Sequence, residues 1–235
     1  MNPTLMMNFA RNRVQSPMRL MLFFLAFVPP IVMALIARSL QPVQAGSGVF
    51  ALIFTAGAIG QDVSSGVLQL MFARPVARRE YVLSRWAAGG LIGAFLGIAQ
   101  LLLASLVILS RGAAPDPSTL LRLVLENALG GFGTAAVMVM LSTLVNGLGD
   151  VALWVFGLMS TQILSMAAMA KQWDWLRKAS DELRAFLQPE LPLGWMSGMG
   201  SPDAAVIIRF FLAIALSLAI AVTVMQRKEL SYAAD

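Results

Sequence analysis

The chain has 235 residues, of which 58% are hydrophobic and only 12% are charged, and its formal net charge is +5. Charged residues make up about a quarter of a typical soluble domain, so the composition excludes that class. The chain has no cysteine and no histidine, which excludes disulfides, thiol or imidazole catalysis and the usual zinc or haem ligands. The basic residues are spread between apolar runs rather than clustered, so we expect no nucleic-acid partner.

The first 16 residues carry a short amphipathic pattern. Met6 and Phe9 oppose Arg11 and Arg13, a pattern typical of a helix that lies on a membrane surface. We therefore expect residues 1–16 to form a cytoplasmic amphipathic segment ahead of the first span.

Six apolar runs reach or approach the ~20 residues that a helix needs to cross a ~30 Å hydrocarbon core. The predicted spans cover about residues 17–37, 45–59, 86–109, 120–145, 151–170 and 203–225. Pro29 and Pro30 predict a kink in the first span. Gly89, Gly93 and Gly97 predict a close approach of two helices along the third. The fold class is therefore an all-α membrane protein with one transmembrane domain.

Helix-start signals precede the last two spans. Asp150 follows a tight Asn-Gly-Leu-Gly turn and is expected to cap the fifth span, while Ser201 before Pro202 is expected to cap the sixth. Between these spans, residues 171–202 include apolar residues near helical spacing and four acidic and four basic residues that cancel. This pattern predicts an external interfacial helical segment that covers the bundle.

The basic residues indicate the orientation of the chain. One side of the predicted topology collects nine of them: Arg11, Arg13, Arg19, Arg74, Arg78, Arg79, Arg85, Arg227 and Lys228. The short connections on the other side hold Arg38, Arg111 and Arg122. The positive-inside rule then places both termini, including the tail 226–235, in the cytoplasm.

The most charged stretch of the first half, residues 61–85, lies between the second and third spans. Asp62 or Ser64 can cap a new helix after Gly60, and Arg74 before Pro75 predicts a break. We therefore expect a broken helical elbow in the cytoplasm. The alternative is a simple connector whose arginines fix the topology and contact lipid headgroups.

The stretch resembles the permeases of the type-2 ABC exporter family. The residues at the family's characteristic positions are Asp62, Gly66, Leu68, Pro75, Val76, Arg78 and Arg85. The tail residues that match are Arg227, Lys228, Glu229, Leu230 and Tyr232. The chain departs from the family pattern in having Asp62 in place of glutamate, serines at 64 and 65 and Ala77 in place of serine. Span number and cytoplasmic ends agree, so the resemblance covers essentially the whole chain.

The resemblance implies that the elbow couples the bundle to a separate ABC ATP-binding subunit. The residues implied to contact that subunit are Asp62, Gly66, Leu68, Arg74, Pro75, Arg78, Arg79 and Arg85. No P-loop motif occurs in the 235 residues, so ATP and Mg²⁺ are expected in the partner and no catalytic residue or metal in this chain. A second permease copy or a paralogue, the lipid bilayer of a bacterial inner membrane and an external partner protein are the other implied contacts.

Glu126 and Arg209 fall inside predicted spans, where a charge is costly without a partner. Arg122, four residues before Glu126, can pair with it locally. The alternative is a Glu126–Arg209 pair across two helices that holds an external gate shut.

Two rival functions remain at the level of sequence. A secondary transporter or channel working without ATP is expected to show an ionisable midplane site or broken helices. An intramembrane enzyme needs a Ser-Lys or paired-aspartate site, which the interiors of the predicted spans do not offer. The expected function is an ATP-driven exporter permease that moves cargo or performs mechanical work on an external partner.

Overall fold

The computed structural model describes residues 3–68, 77–198 and 201–228, and within them every regular element is helical. In chain order the helices are α1 (Pro3–Val14), α2 (Pro17–Ala37), α3 (Gly46–Thr55), α4 (Gly60–Ser64), α5 (Arg78–Leu109), α6 (Pro117–Leu144), α7 (Gly149–Lys171), α8 (Asp174–Leu187) and α9 (Ala204–Arg227). Short 3₁₀ turns lie at Gln41–Val43 and Gly194–Ser197. The all-α prediction is confirmed for this part of the chain.

Within the described residues, six segments are long and apolar enough to cross a membrane, as the sequence predicts. They are α2, the composite segment Gln41–Ser64 that contains α3 and α4, and then α5, α6, α7 and α9. Large apolar side chains such as Phe24, Phe95 and Phe156 are exposed on the outside of the bundle. Such a surface suits a hydrocarbon solvent, so the architecture fits a polytopic membrane protein.

The bundle has two ends. One holds α1, α4, the beginning of α5 and the end of α9, and is called here the terminal end. The other holds the connection between α5 and α6, together with α8, and is called the α8 end.

The second, third and fourth spans form the centre of the bundle. In their most apolar windows 61%, 44% and 61% of the residues are buried, against 6%, 11% and 22% in the first, fifth and sixth spans. α3 packs against both α5 and α6. The peripheral spans therefore leave most of their apolar surface free for contacts outside the chain.

The glycine row of the third span explains how closely α3 and α5 pack. A Cβ atom at Gly93 would lie 2.7 Å from the Cβ of Ala51, and one at Gly97 would lie 2.6 Å from the backbone nitrogen of Ser47. Gly89 is buried in the same contact. Only a hydrogen fits at these positions, so the predicted close approach of two helices is confirmed.

The two prolines of the first span lie inside the continuous helix α2. Proline has no backbone N–H, so Pro30 leaves the carbonyl of Ala26 without its helical donor. The buried side chain of Gln100 on α5 replaces that donor, because its Nε2 lies 3.0 Å from the Ala26 oxygen and 2.8 Å from the Phe27 oxygen. The third span thereby satisfies backbone groups that Pro29 and Pro30 disturb.

Aspartates cap two of the long helices. Asp116 accepts a hydrogen bond of 2.9 Å from the backbone N–H of Thr119 at the start of α6. That bond and one from the Ser118 hydroxyl lower the pKa of Asp116. The cap of α9 is Asp203 rather than the predicted Ser201, because the Asp203 carboxylate reaches the first turn of the helix.

The segment between the fifth and sixth spans contains α8, which has one charged and one apolar face. Ser180 and Leu187 are buried against the bundle. The Ser180 hydroxyl donates to the Thr161 carbonyl at 2.8 Å, and the Trp154 indole donates to the Leu187 carbonyl at 3.0 Å. Trp173 precedes the helix and remains half exposed. The structure shows a helix here, and its place at an external membrane surface stays a prediction.

Candidate coupling site

The described part of the 61–85 stretch lies at the terminal end. α4 is the last part of the second span. Gly66 follows it with a positive φ of 71°, which a side chain would strain. Leu68 is 1% exposed, because it packs into the main apolar core. Arg74 and Pro75 lie outside the described residues, so the predicted break of the elbow stays a prediction.

Asp62 joins α4 to α5. Its Oδ2 atom lies 2.5 Å from the Tyr81 hydroxyl and 2.5 Å from Nη2 of Arg85. The Arg85 side chain is 11% exposed and that of Asp62 is 19% exposed. Asp62 lies within α4 and does not cap a helix start as the sequence predicts. The reason is that its carboxylate is held by two donors from the next span.

The same arginine brings α1 into the cluster. The Arg85 guanidinium lies 4.4 Å from the ring centroid of Phe9 and 4.7 Å from that of Tyr81. Phe9 is 3% exposed. The contact with Phe9 fixes the amphipathic helix α1 against the base of α5, and the contact with Tyr81 orients the guanidinium within α5.

Arg78, the first residue of α5, binds the end of α9. Its Nη1 atom lies 3.0 Å from the carbonyl of Met225, 2.9 Å from that of Gln226 and 3.0 Å from that of Lys228. The last carbonyls of a helix have no helical donor and attract a positive charge, so Arg78 acts as a C-terminal cap.

Lys228 follows α9 and reaches α6. Its Nζ atom lies 3.3 Å from the Thr143 carbonyl and 3.4 Å from Oδ1 of Asn146. Partial burial lowers the pKa of Lys228. The start of the third span, the end of the fourth and the end of the sixth are therefore in direct polar contact.

Arg79 is exposed, in contrast to its neighbour Arg78. Val67 is 41% exposed, and Ser64 and Ser65 are exposed as well. Of the described residues implied to contact a partner, Arg79 is thus the charged one that faces outward. Asp62, Leu68, Arg78 and Arg85 make contacts within the chain.

A second polar cluster surrounds residues 56–59, called here the joint, where the second span is interrupted between α3 and α4. Arg13 Nη1 donates to the Ala56 carbonyl at 2.8 Å, and Arg13 Nη2 donates to the Gly57 carbonyl at 2.8 Å. Arg19 Nη2 donates to the Ala56 carbonyl at 3.0 Å, and both arginines reach Oε1 of Gln61. Both arginines are buried and satisfy the Ala56 carbonyl, which the interruption frees, while the Gly57 carbonyl also accepts from the Gln61 N–H at 3.2 Å.

The amide side of the joint is held by the α6–α7 region. Oδ2 of Asp150, which is 0% exposed, accepts from the Gly57 N–H at 2.6 Å. Ser142 Oγ accepts from the N–H groups of Ile59 and Gly60 at 3.0 and 2.9 Å. Asp150 was predicted to cap the fifth span. It lies inside the first turn of α7 rather than at the N-cap; its Oδ1 accepts from the Val151 N–H at 2.9 Å, while its Oδ2 reaches the joint.

Sequence reasoning missed the joint. It assigned Arg13 to the polar face of an amphipathic segment and Arg19 to topology, although an arginine inside the first turn of a span is itself a signal of a buried acceptor. A second signal that the helix of the second span is interrupted was the close spacing of Gly57 and Gly60 in a short apolar run.

The three charges predicted inside spans lie at the α8 end and line one cavity of about 710 Å³. Arg122 Nε is 3.8 Å from Oε1 of Glu126, which also accepts from the Leu193 N–H at 2.7 Å. Arg209 Nη1 is 2.8 Å from Oε1 of Glu182. Glu126 and Arg209 therefore share a cavity, and each forms its ion pair with another residue.

Comparison with known proteins adds no relative. No family model matches the chain, and no curated protein matches it at a significant level. Within residues 3–68, 77–198 and 201–228 no group of three or more acidic, cysteine or histidine side chains could hold a metal ion. The class that the structure supports is a polytopic helical membrane protein with six candidate spans.

Proposed function

We propose that the chain is the membrane-spanning permease subunit of an ATP-driven exporter of the type-2 ABC family. A separate ATP-binding subunit binds the 61–85 stretch in the cytoplasm, and a second permease copy or a paralogue completes the transporter in a bacterial inner membrane. The permease itself has no catalytic residue. It either moves cargo or passes mechanical work to an external partner.

The observation that carries the proposal is the set of contacts made by the two described arms of the 61–85 stretch. Asp62 and Arg85 connect α4 to α5 and, through Phe9, to α1. Arg78 connects the base of α5 to the end of α9. A force applied to this stretch therefore reaches four helices at once, as a coupling segment requires.

The resemblance of residues 62–85 to the family's coupling segment is the second support. Exposed Arg79 and Val67 offer a charge and an apolar contact to a soluble partner. Asp62, Leu68, Arg78 and Arg85 are held by contacts within the chain, so the partner would push against a stiff surface at the described ends of the stretch. The partner's P-loop would supply the ATP chemistry, which the sequence of this chain lacks.

The joint is the place where a force from the partner subunit would change the angle between α3 and α4. α3 is packed tightly between α5 and α6 through glycine contacts, whereas α4 is one and a half turns long and follows an interruption of the helical hydrogen bonds. Displacement of α4 together with α5 would be absorbed at residues 56–59. Arg13 and Arg19 would carry that displacement to α1 and α2.

Cysteine labelling tests the orientation that the proposal requires. The chain has no cysteine, so Ser65→Cys and Ser110→Cys each introduce a unique thiol at an exposed position. We expect a membrane-impermeant maleimide to label Ser110→Cys in intact cells and Ser65→Cys only after the cytoplasmic side is opened. Labelling of Ser65→Cys from outside would overturn the proposal.

Co-purification with candidate P-loop ATPases tests the partner. We expect Arg79→Glu to reduce the recovered ATPase by about tenfold or more, because a reversed rim charge opposes association. Arg111→Glu, an exposed arginine at the α8 end, is the matched control and should not change recovery. Full function in cells and vesicles without any ATPase would contradict the proposal.

A secondary transporter without ATP is the second candidate, favoured by one observation. The second span is interrupted and surrounded by buried Arg13, Arg19 and Asp150, and broken helices with buried charges are typical of secondary transporters. Uptake or release driven by an ion gradient in vesicles that contain the purified chain alone would favour this candidate.

A further inference from the structure

The cavity at the α8 end lies within one chain, between the first half of α3, α6, Trp154 of α7, α8 with the segment after it, and the first turns of α9. Its volume of about 710 Å³ falls in the range of ~300–1,000 Å³ that small-molecule sites occupy. None of the described residues implied to contact the ATPase lines the cavity, so its occupancy can be tested without any ATPase.

The inner part of the cavity is lined by small and mostly apolar residues. Small residues, including Gly48, Gly130 and Thr134, line it on one side, and Leu52 and Phe210 add apolar surface. A Cβ atom at Gly130 would meet only the Ser47 hydroxyl, at 3.1 Å. The space beside these glycines can therefore take an apolar chain.

The remaining lining carries three basic and three acidic side chains: Arg122, Arg184, Arg209, Glu126, Asp181 and Glu190. Arg122 pairs with Glu126 inside the cavity, and Arg209 pairs with Glu182 beside it. Asp181, Arg184 and Glu190 are exposed and form no ion pair with any described residue. The mouth thus presents charges of both signs, two acidic and one basic.

We infer that this cavity binds a zwitterionic amphiphile, a molecule with an ammonium group beside a phosphate or carboxylate and an apolar chain. The anionic group would meet Arg184, and the ammonium group would meet Asp181 or Glu190. A purely anionic ligand would face Asp181 and Glu190, and a purely cationic one would face Arg184. The apolar chain would occupy the space beside Gly48 and Gly130.

Two sources offer this chemistry: a bilayer lipid with an ethanolamine headgroup, or a free zwitterionic solute. The purified chain in detergent can be titrated with phosphatidylethanolamine that carries a brominated acyl chain, because bromine quenches nearby tryptophan fluorescence. Trp154 lines the cavity, so we expect saturable quenching that is smaller in Trp154→Phe. Phosphatidylglycerol with the same brominated chain should quench much less.

Unbrominated phosphoethanolamine distinguishes the two sources. Displacement of the brominated lipid at millimolar concentration assigns recognition to the free headgroup, whereas no displacement assigns it to the intact lipid. Both results agree with a zwitterion site. Equal saturable quenching by phosphatidylethanolamine and phosphatidylglycerol would overturn the inference, because it would indicate ordinary lipid contact.

Two sets of variants locate the site. Arg184→Gln with Glu190→Gln should weaken binding by about tenfold, since each exposed ion pair contributes a modest amount. Asp174→Asn with Lys178→Gln, on the same helix but outside the cavity, is the matched control and should not change affinity. Gly130→Leu should fill the inner space and abolish saturable quenching. If Gly130→Leu does not fold, unchanged affinity in the Arg184/Glu190 variant is still sufficient to overturn the inference.

Discussion

The two ends of the bundle use their charges in different ways. At the terminal end, Arg13, Arg19, Arg78 and Arg85 each bind backbone carbonyls or a carboxylate from another part of the chain. At the α8 end, comparable numbers of charged side chains surround an open cavity. The difference indicates a rigid end built to transmit displacement and a hollow end that can accept a molecule.

The largest effect on stability is expected when Arg13 is removed from the terminal end. We expect Arg13→Ala to lower the free energy of unfolding by about 3 kcal/mol, because the variant removes the charged hydrogen bonds that Arg13 donates to the buried Ala56 and Gly57 carbonyls. Arg13→Lys should recover part of the loss, since lysine keeps the charge but not the forked geometry. Denaturant unfolding in detergent micelles measures the effect.

Arg11→Ala is the matched control for this prediction. Arg11 lies on the same helix and is exposed, so its removal should change stability by less than about 0.5 kcal/mol. Equal losses in Arg11→Ala and Arg13→Ala would show that the joint adds no stability.

Double-mutant cycles compare one ion pair from each end. The Asp62–Arg85 pair is mostly buried, and we expect a coupling energy of about 2 kcal/mol from the alanine variants. The Glu182–Arg209 pair has side chains that are 60% and 50% exposed. Its coupling should be no more than about 0.5 kcal/mol and should fall with salt.

Two glycine substitutions compare the tight contact between α3 and α5 with a position on the cavity wall. Gly93→Ala should destabilise the chain by about 1–2 kcal/mol, because the new Cβ would lie 2.7 Å from the Cβ of Ala51. Gly130→Ala should cost much less, because its new Cβ would meet only the Ser47 hydroxyl, at 3.1 Å, a side-chain atom that can shift. Both gain the same helix propensity, so their difference reports packing alone. Similar thermal stabilities for the two variants would refute the cavity as a real space.

The smallest expected effect concerns Lys228. Its burial lowers its pKa below the ordinary 10.5, so the unfolded chain holds the proton to higher pH than the folded chain. Stability should therefore increase as pH rises through the window below 10.5. Lys228→Gln should remove this increase, and Lys178→Gln, which is exposed, should retain it. Thermal unfolding between about pH 8 and pH 10 measures the difference.

The long spans could be predicted because each depends on local composition. The predicted bounds of the first span, 17–37, coincide with α2, and those of the fifth and sixth lie within about two residues of α7 and α9. The glycine row of α5 was readable for the same reason. Caps were less accurate, since several polar residues stand near each helix start and tertiary contacts select among them.

The joint and the polar contacts of the coupling stretch could not be predicted, because they connect residues distant in sequence. Arg13 and Ala56 are 43 residues apart, and Gly57 and Asp150 are 93 apart. Only the family resemblance assigned Asp62 and Arg85 to the same coupling segment. The ion pair between them depends on how α4 packs against α5, and sequence periodicity carries no information about that packing.

The amide of Gln100 has a consequence for biogenesis. If spans enter the bilayer in chain order, the first one arrives with the Ala26 carbonyl short of a donor, in a solvent that offers none. We expect this helix to stay near the insertion machinery until the glutamine-bearing segment is synthesised. Gln100→Leu should then leave more of the nascent chain open to quality-control proteolysis.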